Sequence, residues 1–374
     1  MSEVRVNNLS NENNTGGPTI SGITTYSGRH FFVPPSGDTA SRPEDCEPGS
    51  LRFNTDSTKL EYFRGNTIGW TEIDAEEAAP ITGRHLKGGG GYNGDQNIIE
   101  FIQTATTGNA LDFGDLIRAQ RHVGALASNT RGIFAGGYKT GSGESNVIEF
   151  VEISTLGNTT DFGDMLSKTN DWDFGSLSNM TRGIWAGDAN QTNNIEFITI
   201  SSAGNAQDFG DLVAGGRSVV GLASPTRGVM TAGSPSNSNI MQYITIASTG
   251  NALDFGDLVG AHGGATYNKP SGSNGTRGLF GPGGGINIER ITISSTGNAV
   301  EFGTSSVYTS SAGSSLGGSS DKLRMFLYAG GASPTVVNTI EFVTIATDGN
   351  AVDFGDAVQA TTTPGTCCNA QGGL

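Results

Sequence analysis

The chain is 374 residues long, with 58 glycines and a formal net charge of −15. Only 21 residues are Lys or Arg, too few for a phosphate backbone, which excludes nucleic acid as the expected partner. No apolar run approaches the ~18 residues of a membrane-spanning helix, and the start MSEVRVNNLSNENN lacks the apolar core of a secretory leader, so neither membrane insertion nor export is expected.

From Ser2 to about Asp74 the chain is polar and punctuated by Pro34-Pro35-Ser36-Gly37 and Arg42-Pro43, which predicts extended backbone and turns. After Gly49 a small meander is legible: Leu51 to Asn54, Lys59 to Phe63 and Ile68 to Ile73, separated by turns at Thr55-Asp56-Ser57 and Arg64-Gly65-Asn66. Three strands are too few to stand alone, so a face made of Leu51, Phe53, Leu60, Tyr62 and Trp70 is expected to need covering.

Beyond residue 80 the sequence repeats. The pair Gly-Asn recurs at Gly108, Gly157, Gly204, Gly250, Gly297 and Gly349, six copies spaced 49, 47, 46, 47 and 52 residues apart. In the copy NIEFITISSAGNAQDFGD, Ile195, Phe197 and Thr199 alternate with Glu196, Ile198 and Ile200, the period-2 pattern of a strand. Both faces of that strand are largely apolar, which places it inside a sheet sandwiched between two others. A strand-rich repeat near fifty residues predicts an all-β, six-bladed β-propeller over 81–374, preceded by a β-rich module over 1–80. The first copy has no inner strand ahead of it, and the last is followed by an unpaired strand, Pro364 to Asn369. The C-terminal strand is therefore expected to become the innermost strand of the first blade and close the ring.

Two sets of charged residues recur. Acids stand at Asp112/Asp115, Asp161/Asp164, Asp208/Asp211, Asp254/Asp257 and Asp353/Asp356, with Glu301 and Thr304 in the fifth copy. Arginines stand at Arg131, Arg182, Arg227 and Arg277, and by position at Arg84 and Arg324, mostly as Thr-Arg-Gly. Paired carboxylates can bind calcium or serve as acid and base. A feature present in every repeat is more simply a joint, so each arginine is expected to pair with an acid of a nearby blade. No metal and no cofactor are expected.

The connections that vary between repeats fall on the rim opposite the Thr-Arg-Gly and Gly-Asn turns. They carry Tyr92, Tyr138, Trp172 and Tyr308, the candidate binding residues, since unequal loops on a rigid scaffold are where recognition resides. The histidines His30, His85, His122 and His262 are scattered and read as surface or satisfied core residues. Cys367 and Cys368 read as small buried hydrophobes in a strand.

Two resemblances add to this reading. The repeat is similar to the kelch blade in its length and in the Gly-Gly strand ends at Gly89-Gly90, Gly136-Gly137 and Gly330-Gly331. It departs from kelch in having Asp-Phe-Gly-Asp where the outer strand would carry tryptophan. The stretch PPSGDTASRPEDCEPGSLRFNTDSTKLEYFRGNTIGW resembles a module of tail-fibre and other appendage proteins of tailed bacteriophages, through Pro35, Gly37, Thr39, Arg42-Pro43, Gly49, Arg52, Asn54-Thr55-Asp56, Leu60-Glu61, Gly65 and Trp70. That resemblance implies a non-enzymatic virion protein made in the host cytoplasm, whose residues 1–80 attach to other virion proteins or to fellow subunits of a homo-oligomer. The rim then meets a host-surface glycan or receptor, or a neighbouring virion protein. The alternative is a propeller hydrolase or lyase acting on cell-surface polysaccharide. A sialidase would need an arginine cluster and a nucleophilic tyrosine on the axis, and a copper oxidase converging histidines and tyrosines; neither pattern is present in the sequence.

Overall fold

The computed structural model describes residues 34–44, 46–73, 83–92, 94–169, 175–187, 192–233, 239–260, 270–282, 286–306, 317–328, 330 and 336–370. The described residues are all-β, without helix, and the chain divides into two compact units, Met1–Glu76 and Glu77–Leu374. Among them no helix is long and apolar enough to cross a membrane.

The first unit holds one sheet in the order β1 (Ser36–Gly37), β2 (Leu51–Asn54), β3 (Lys59–Phe63), β4 (Trp70–Ile73), with β1 parallel to β2 and the rest antiparallel. Side chains alternate between its faces. One face carries Arg52, Asn54, Glu61 and Trp70, and Arg42 and Pro43 reach onto it. Glu61 is fully buried there, receives Arg42 Nη2 at 2.6 Å, and lies 3.4 Å from Arg52 Nε; Asn54 donates to it at 3.3 Å. Trp70 donates its indole N–H to Pro43 O at 3.0 Å and pairs with Phe63. This corrects the sequence expectation, because the Phe63–Trp70 register puts the indole opposite the face of Leu51, Leu60 and Ile73, each of which is exposed.

Among its described residues the second unit holds six further sheets of four main strands each. The first begins with β5 (Arg84–Gly88), β6 (Ile98–Gln103) and β7 (Leu111–Asp115). The second has β8 (Gly124–Ala127), β9 (Arg131–Ala135), a short β10 (Tyr138–Lys139), β11 (Gly143–Glu152) and β12 (Thr160–Thr169). The third has β13 (Gly175–Ser178), β14 (Arg182–Ala186), β15 (Asn194–Thr199) and β16 (Gln207–Asp211), and the fourth β17 (Gly221–Ala223), β18 (Arg227–Thr231), β19 (Ile240–Thr245) and β20 (Leu253–Asp257). The fifth has β21 (Ser271–Ser273), β22 (Arg277–Phe280), β23 (Asn287–Thr292) and β24 (Val300–Thr304). The sixth has β25 (Gly317–Ser320), β26 (Arg324–Tyr328), β27 (Thr339–Thr344) and β28 (Val352–Asp356). The last strand, β29 (Gly365–Cys368), pairs antiparallel with β5, so the first sheet reads β29-β5-β6-β7.

Burial explains the strand chemistry. The third strands are enclosed on both faces, as Ile195, Glu196, Phe197 and Ile198 are, and the cores lie between sheets. Leu126, Ile133 and Ile148 of the second sheet pack with Trp185 and Ile198 of the third. Equivalent clusters join every later pair, and one joins Phe326, Tyr328 and Phe354 of the sixth sheet to Ile102 and Ala110 of the first. A single cavity is lined by the first strands of all six sheets, including Ala125, Ser176, Leu222, Gly272, Ser319 and Thr366.

β29 contributes four register partners to β5 and the buried Cys367 and Cys368. Deleting residues 364–374 is expected to cost more than about 3 kcal/mol through lost ladder bonds and two emptied core positions, roughly 5 °C or more in Tm. Differential scanning calorimetry checks this; an unchanged melting temperature would show that the strand contributes nothing.

Candidate functional site

The Gly-Asn turns, the Asp-Phe-Gly-Asp segments and the repeated arginines make contacts that cross from a sheet to the next. The glycine of Asp-Phe-Gly-Asp has φ of 138° at Gly256 and 146° at Gly210, a region that favours glycine. A Cβ on Gly210 would overlap Gly250 O of the following repeat, and one on Gly355 would overlap Gly108 O. This close approach lets Gly250 N–H reach Phe209 O at 2.7 Å and Gly108 N–H reach Phe354 O at 2.9 Å. Asn251 then accepts from Asp211 N–H at 3.1 Å, and Asn109 from Asp356 N–H at 3.0 Å.

The repeated arginines also reach the next sheet, where Arg277 meets Asp348 as the sequence predicts, but the partner common to all of them is a main-chain oxygen rather than an acid. Arg131, Arg182, Arg227 and Arg277 donate from Nη1 to the main-chain oxygens of Ile200, Ile246, Ile293 and Ile345, at 3.0, 2.7, 2.9 and 3.1 Å. Arg84 and Arg324 do the same to Ile153 and Thr104. Register explains the difference. Arg182 stands opposite Thr199, whereas Asp208 stands opposite Glu196, so three residues, about 10 Å of strand, separate them along the sheet. Asp112, Asp161, Asp208, Asp254 and Asp353 are exposed, and none has an ion-pair partner among the described residues. The guanidinium groups also lie over aromatic rings, with Arg227 4.4 Å from the Tyr243 centroid and Arg182 4.7 Å from that of Phe197, and Arg131 Nε reaches Glu152 of its own sheet at 2.8 Å. In the fifth sheet that aromatic is replaced by Arg290, and Asp348 of the sixth accepts both Arg277 and Arg290.

One set of joint residues is not singled out by sequence pattern. Glu100, Glu149, Glu196, Gln242, Glu289 and Glu341 occupy one position of the third strands and are buried. Each accepts a main-chain N–H from the segment that leaves the preceding sheet: Ile117, Leu166, Val213, Val259 and Ser306 donate to Glu149, Glu196, Gln242, Glu289 and Glu341, and Val358 donates to Glu100. Burial raises the Glu149 carboxyl above its ordinary range, opposed by the Thr159 hydroxyl and the Ile117 N–H. In the fourth sheet Gln242 does the same work without charge.

Of the four candidate binding residues, Tyr92 and Tyr138 are half-buried near the joint of the first and second sheets; Trp172 and Tyr308 lie outside the described residues. Arg121 braces the segments that carry them. Its Nη1 reaches Asp95 Oδ1 at 2.9 Å and Thr140 Oγ1 at 3.0 Å, Thr140 N–H reaches Asp95 Oδ2 at 2.6 Å, and the guanidinium lies 4.9 Å from the Tyr138 centroid. Gly91 exchanges main-chain bonds with Thr362 at 2.9 and 2.7 Å. The charges at this place are paired, and the half-buried Tyr138 ring lies beside the Arg121 guanidinium.

His30 and His262 fall outside the described residues. His122 is buried at φ 57°. His85 is buried, and against the expectation of a surface or satisfied core residue neither of its nitrogens has a hydrogen-bond partner among the described residues. Cys367 and Cys368 are buried free thiols, and burial pushes Cys367 up to about 12 and raises Cys368 as well. Among the described residues no group of three His, Cys, Asp or Glu side chains is placed to hold a metal. No protein-family model matches the chain, and no curated protein matches it significantly.

Two expectations follow. A double-mutant cycle between Arg227→Ala and Asp208→Ala is expected to be additive within about 0.3 kcal/mol, while Arg290→Ala and Asp348→Ala couple by roughly 0.5 kcal/mol, discounted for exposure; chemical denaturation measures both. For Glu149 the folded-state pKa is raised, so the folded chain holds the proton more tightly and stability falls as pH rises through the carboxylate range. Glu149→Gln is expected to leave stability at pH 7 within about 1 kcal/mol and to flatten that slope; an undiminished slope in the variant would contradict the assignment.

Proposed function

We propose that the second unit is a six-bladed, kelch-like β-propeller closed by its C-terminal strand, and that the protein is a non-enzymatic appendage of a tailed-phage virion. The observation that carries the scaffold reading is the continuation of every joint from sheet six to sheet one. Arg324 reaches Thr104, Asp356 reaches Asn109 and Val358 reaches Glu100 just as their counterparts reach the sheets that follow them. A ring closed in this way has no raw edge among its inner strands.

The virion reading rests on the resemblance of residues 34–70 to appendage modules. Its support is that the motif residues Arg42, Arg52, Asn54, Glu61 and Trp70 are the internal ties of the first sheet, which makes the pattern that of a folded module. Residues 1–80 attach to other virion proteins, and the loop-bearing rim with Tyr92 and Tyr138 binds a polar component of the host surface. The paired state of the charges around Arg121 favours binding over hydrolysis.

Purified virions labelled with antibody to residues 83–370 are expected to carry the label on an appendage, and the chain is expected to bind host envelope glycans saturably without releasing reducing ends. Tyr138→Ala is expected to weaken that binding about tenfold, an aromatic face being worth roughly 1 kcal/mol or more. Absence of the chain from purified particles would sink the virion reading, and accumulating reducing ends would favour a polysaccharide hydrolase.

A further inference from the structure

In four sheets the residue after the repeated arginine is glycine, and a side chain from the first strand of the preceding sheet packs onto it. Cys367 stands over Gly132, Leu126 over Gly183, Leu177 over Gly228 and Leu222 over Gly278. The other two joints are altered on both sides. Met325 replaces the glycine in the sixth sheet, and the residue facing it shrinks to Gly272. His85 replaces it in the first sheet, and the corresponding position of the sixth is Ser319.

His85 is fully buried. It stands opposite Cys368 of β29 and Ile102 of β6, stacks on Tyr328 with centroids 4.8 Å apart, and meets Phe326 edge-on at 5.4 Å. Its two nitrogens, the Ser319 hydroxyl and the Tyr328 hydroxyl all have no hydrogen-bond partner among the described residues. The titratable and charged groups around it are committed elsewhere or neutral. On its own strand Arg84 donates to Ile153 O, and Lys87 Nζ lies 2.7 Å from Glu100, whose other oxygen accepts Val358 N–H. At the β25–β26 turn Asp321 accepts the N–H groups of Leu323 and Arg324. Burial raises both Cys368 and Tyr328, so neither is ionised near neutrality.

We propose that His85 is an acid-sensitive latch: a proton on its imidazole releases the joint between the sixth and first sheets, and with it the C-terminal strand. An imidazolium here would be a buried charge without an acceptor, held among aromatic rings. Burial lowers His85 from 6.5 to about 3, whereas in the released joint it is solvated and ordinary. For a base whose closed-state pKa is depressed, the closed joint is fully stable above about pH 6.5 and loses stability as pH falls toward 3, by about tenfold in the closing equilibrium per pH unit. The latch depends on contacts of the first and sixth sheets alone and stands whether or not the chain is a virion protein.

Hydrogen exchange followed by mass spectrometry from pH 7 to pH 4, corrected for intrinsic amide rates, tests it on the full chain. Protection of residues 84–88 and 365–368 is expected to fall by up to about tenfold per unit below pH 6.5, while β17 and β18 hold. His85→Gly combined with Ser319→Leu, which rebuilds the arrangement of the other joints, is expected to abolish the extra loss. Equal loss in all sheets, or the same loss in the variant, would overturn the latch. If the variant does not fold, the imidazole 15N shifts of His85 in the unaltered chain decide: neutral down to about pH 4.5 is expected, and titration near pH 6.5 overturns the proposal.

Discussion

The second unit depends on one constraint: a four-stranded sheet with two apolar faces must find an apolar surface for each. The structure meets it by fastening each sheet to the next with main-chain hydrogen bonds. Gly250 N–H to Phe209 O, Arg227 to Ile293 O and Val213 N–H to Gln242 act at three places on the sheets. Backbone partners hold their positions whatever side chains the repeat carries. That explains how the joint survives changes such as Phe to Arg290 or Gly to Met325, each with its own adjustment at Asp348 or Gly272.

The buried acceptor on the third strand is the costliest part of the joint. A carboxylate enclosed among apolar side chains is destabilised unless hydrogen bonds replace its water, and Glu149 has those of Ile117, Gln120 and Thr159. Five copies retain the acid although Gln242 shows that an amide serves. The charge is therefore not required for the joint, and at Glu149, whose carboxyl burial raises, it makes the joint sensitive to pH in the opposite sense to His85.

Much of this architecture was legible in the sequence because it is periodic. The Gly-Asn spacing marks the repeat, and the unpaired Gly365–Cys368 is the first strand of the first sheet. What was not legible is what depends on register. Glu196 in NIEFITI looks like the polar phase of an amphipathic strand, yet it is enclosed on the side of the preceding sheet. The arginine and aspartate look complementary in sequence, but they stand at different heights on the strands. Trp70 looks like a companion of Leu60 and lies on the other face because its partner is Phe63. Of the candidate site, Tyr92 and Tyr138 could be placed by loop position, whereas the Asp95–Arg121–Thr140 brace joins segments too far apart in sequence to be inferred from spacing.

The central claim is that the last sheet is fastened to the first. Cysteines at positions 109 and 356, with Cys46→Ser to remove the half-buried thiol, test it most directly, because Asp356 N–H lies 3.0 Å from Asn109 Oδ1 although the two are 247 positions apart. Under mild oxidation the pair is predicted to form an intramolecular disulfide, mapped by mass spectrometry, while a control pair at 109 and 211 stays reduced. A reduced 109–356 pair under conditions that preserve the fold would contradict closure and the account built on it.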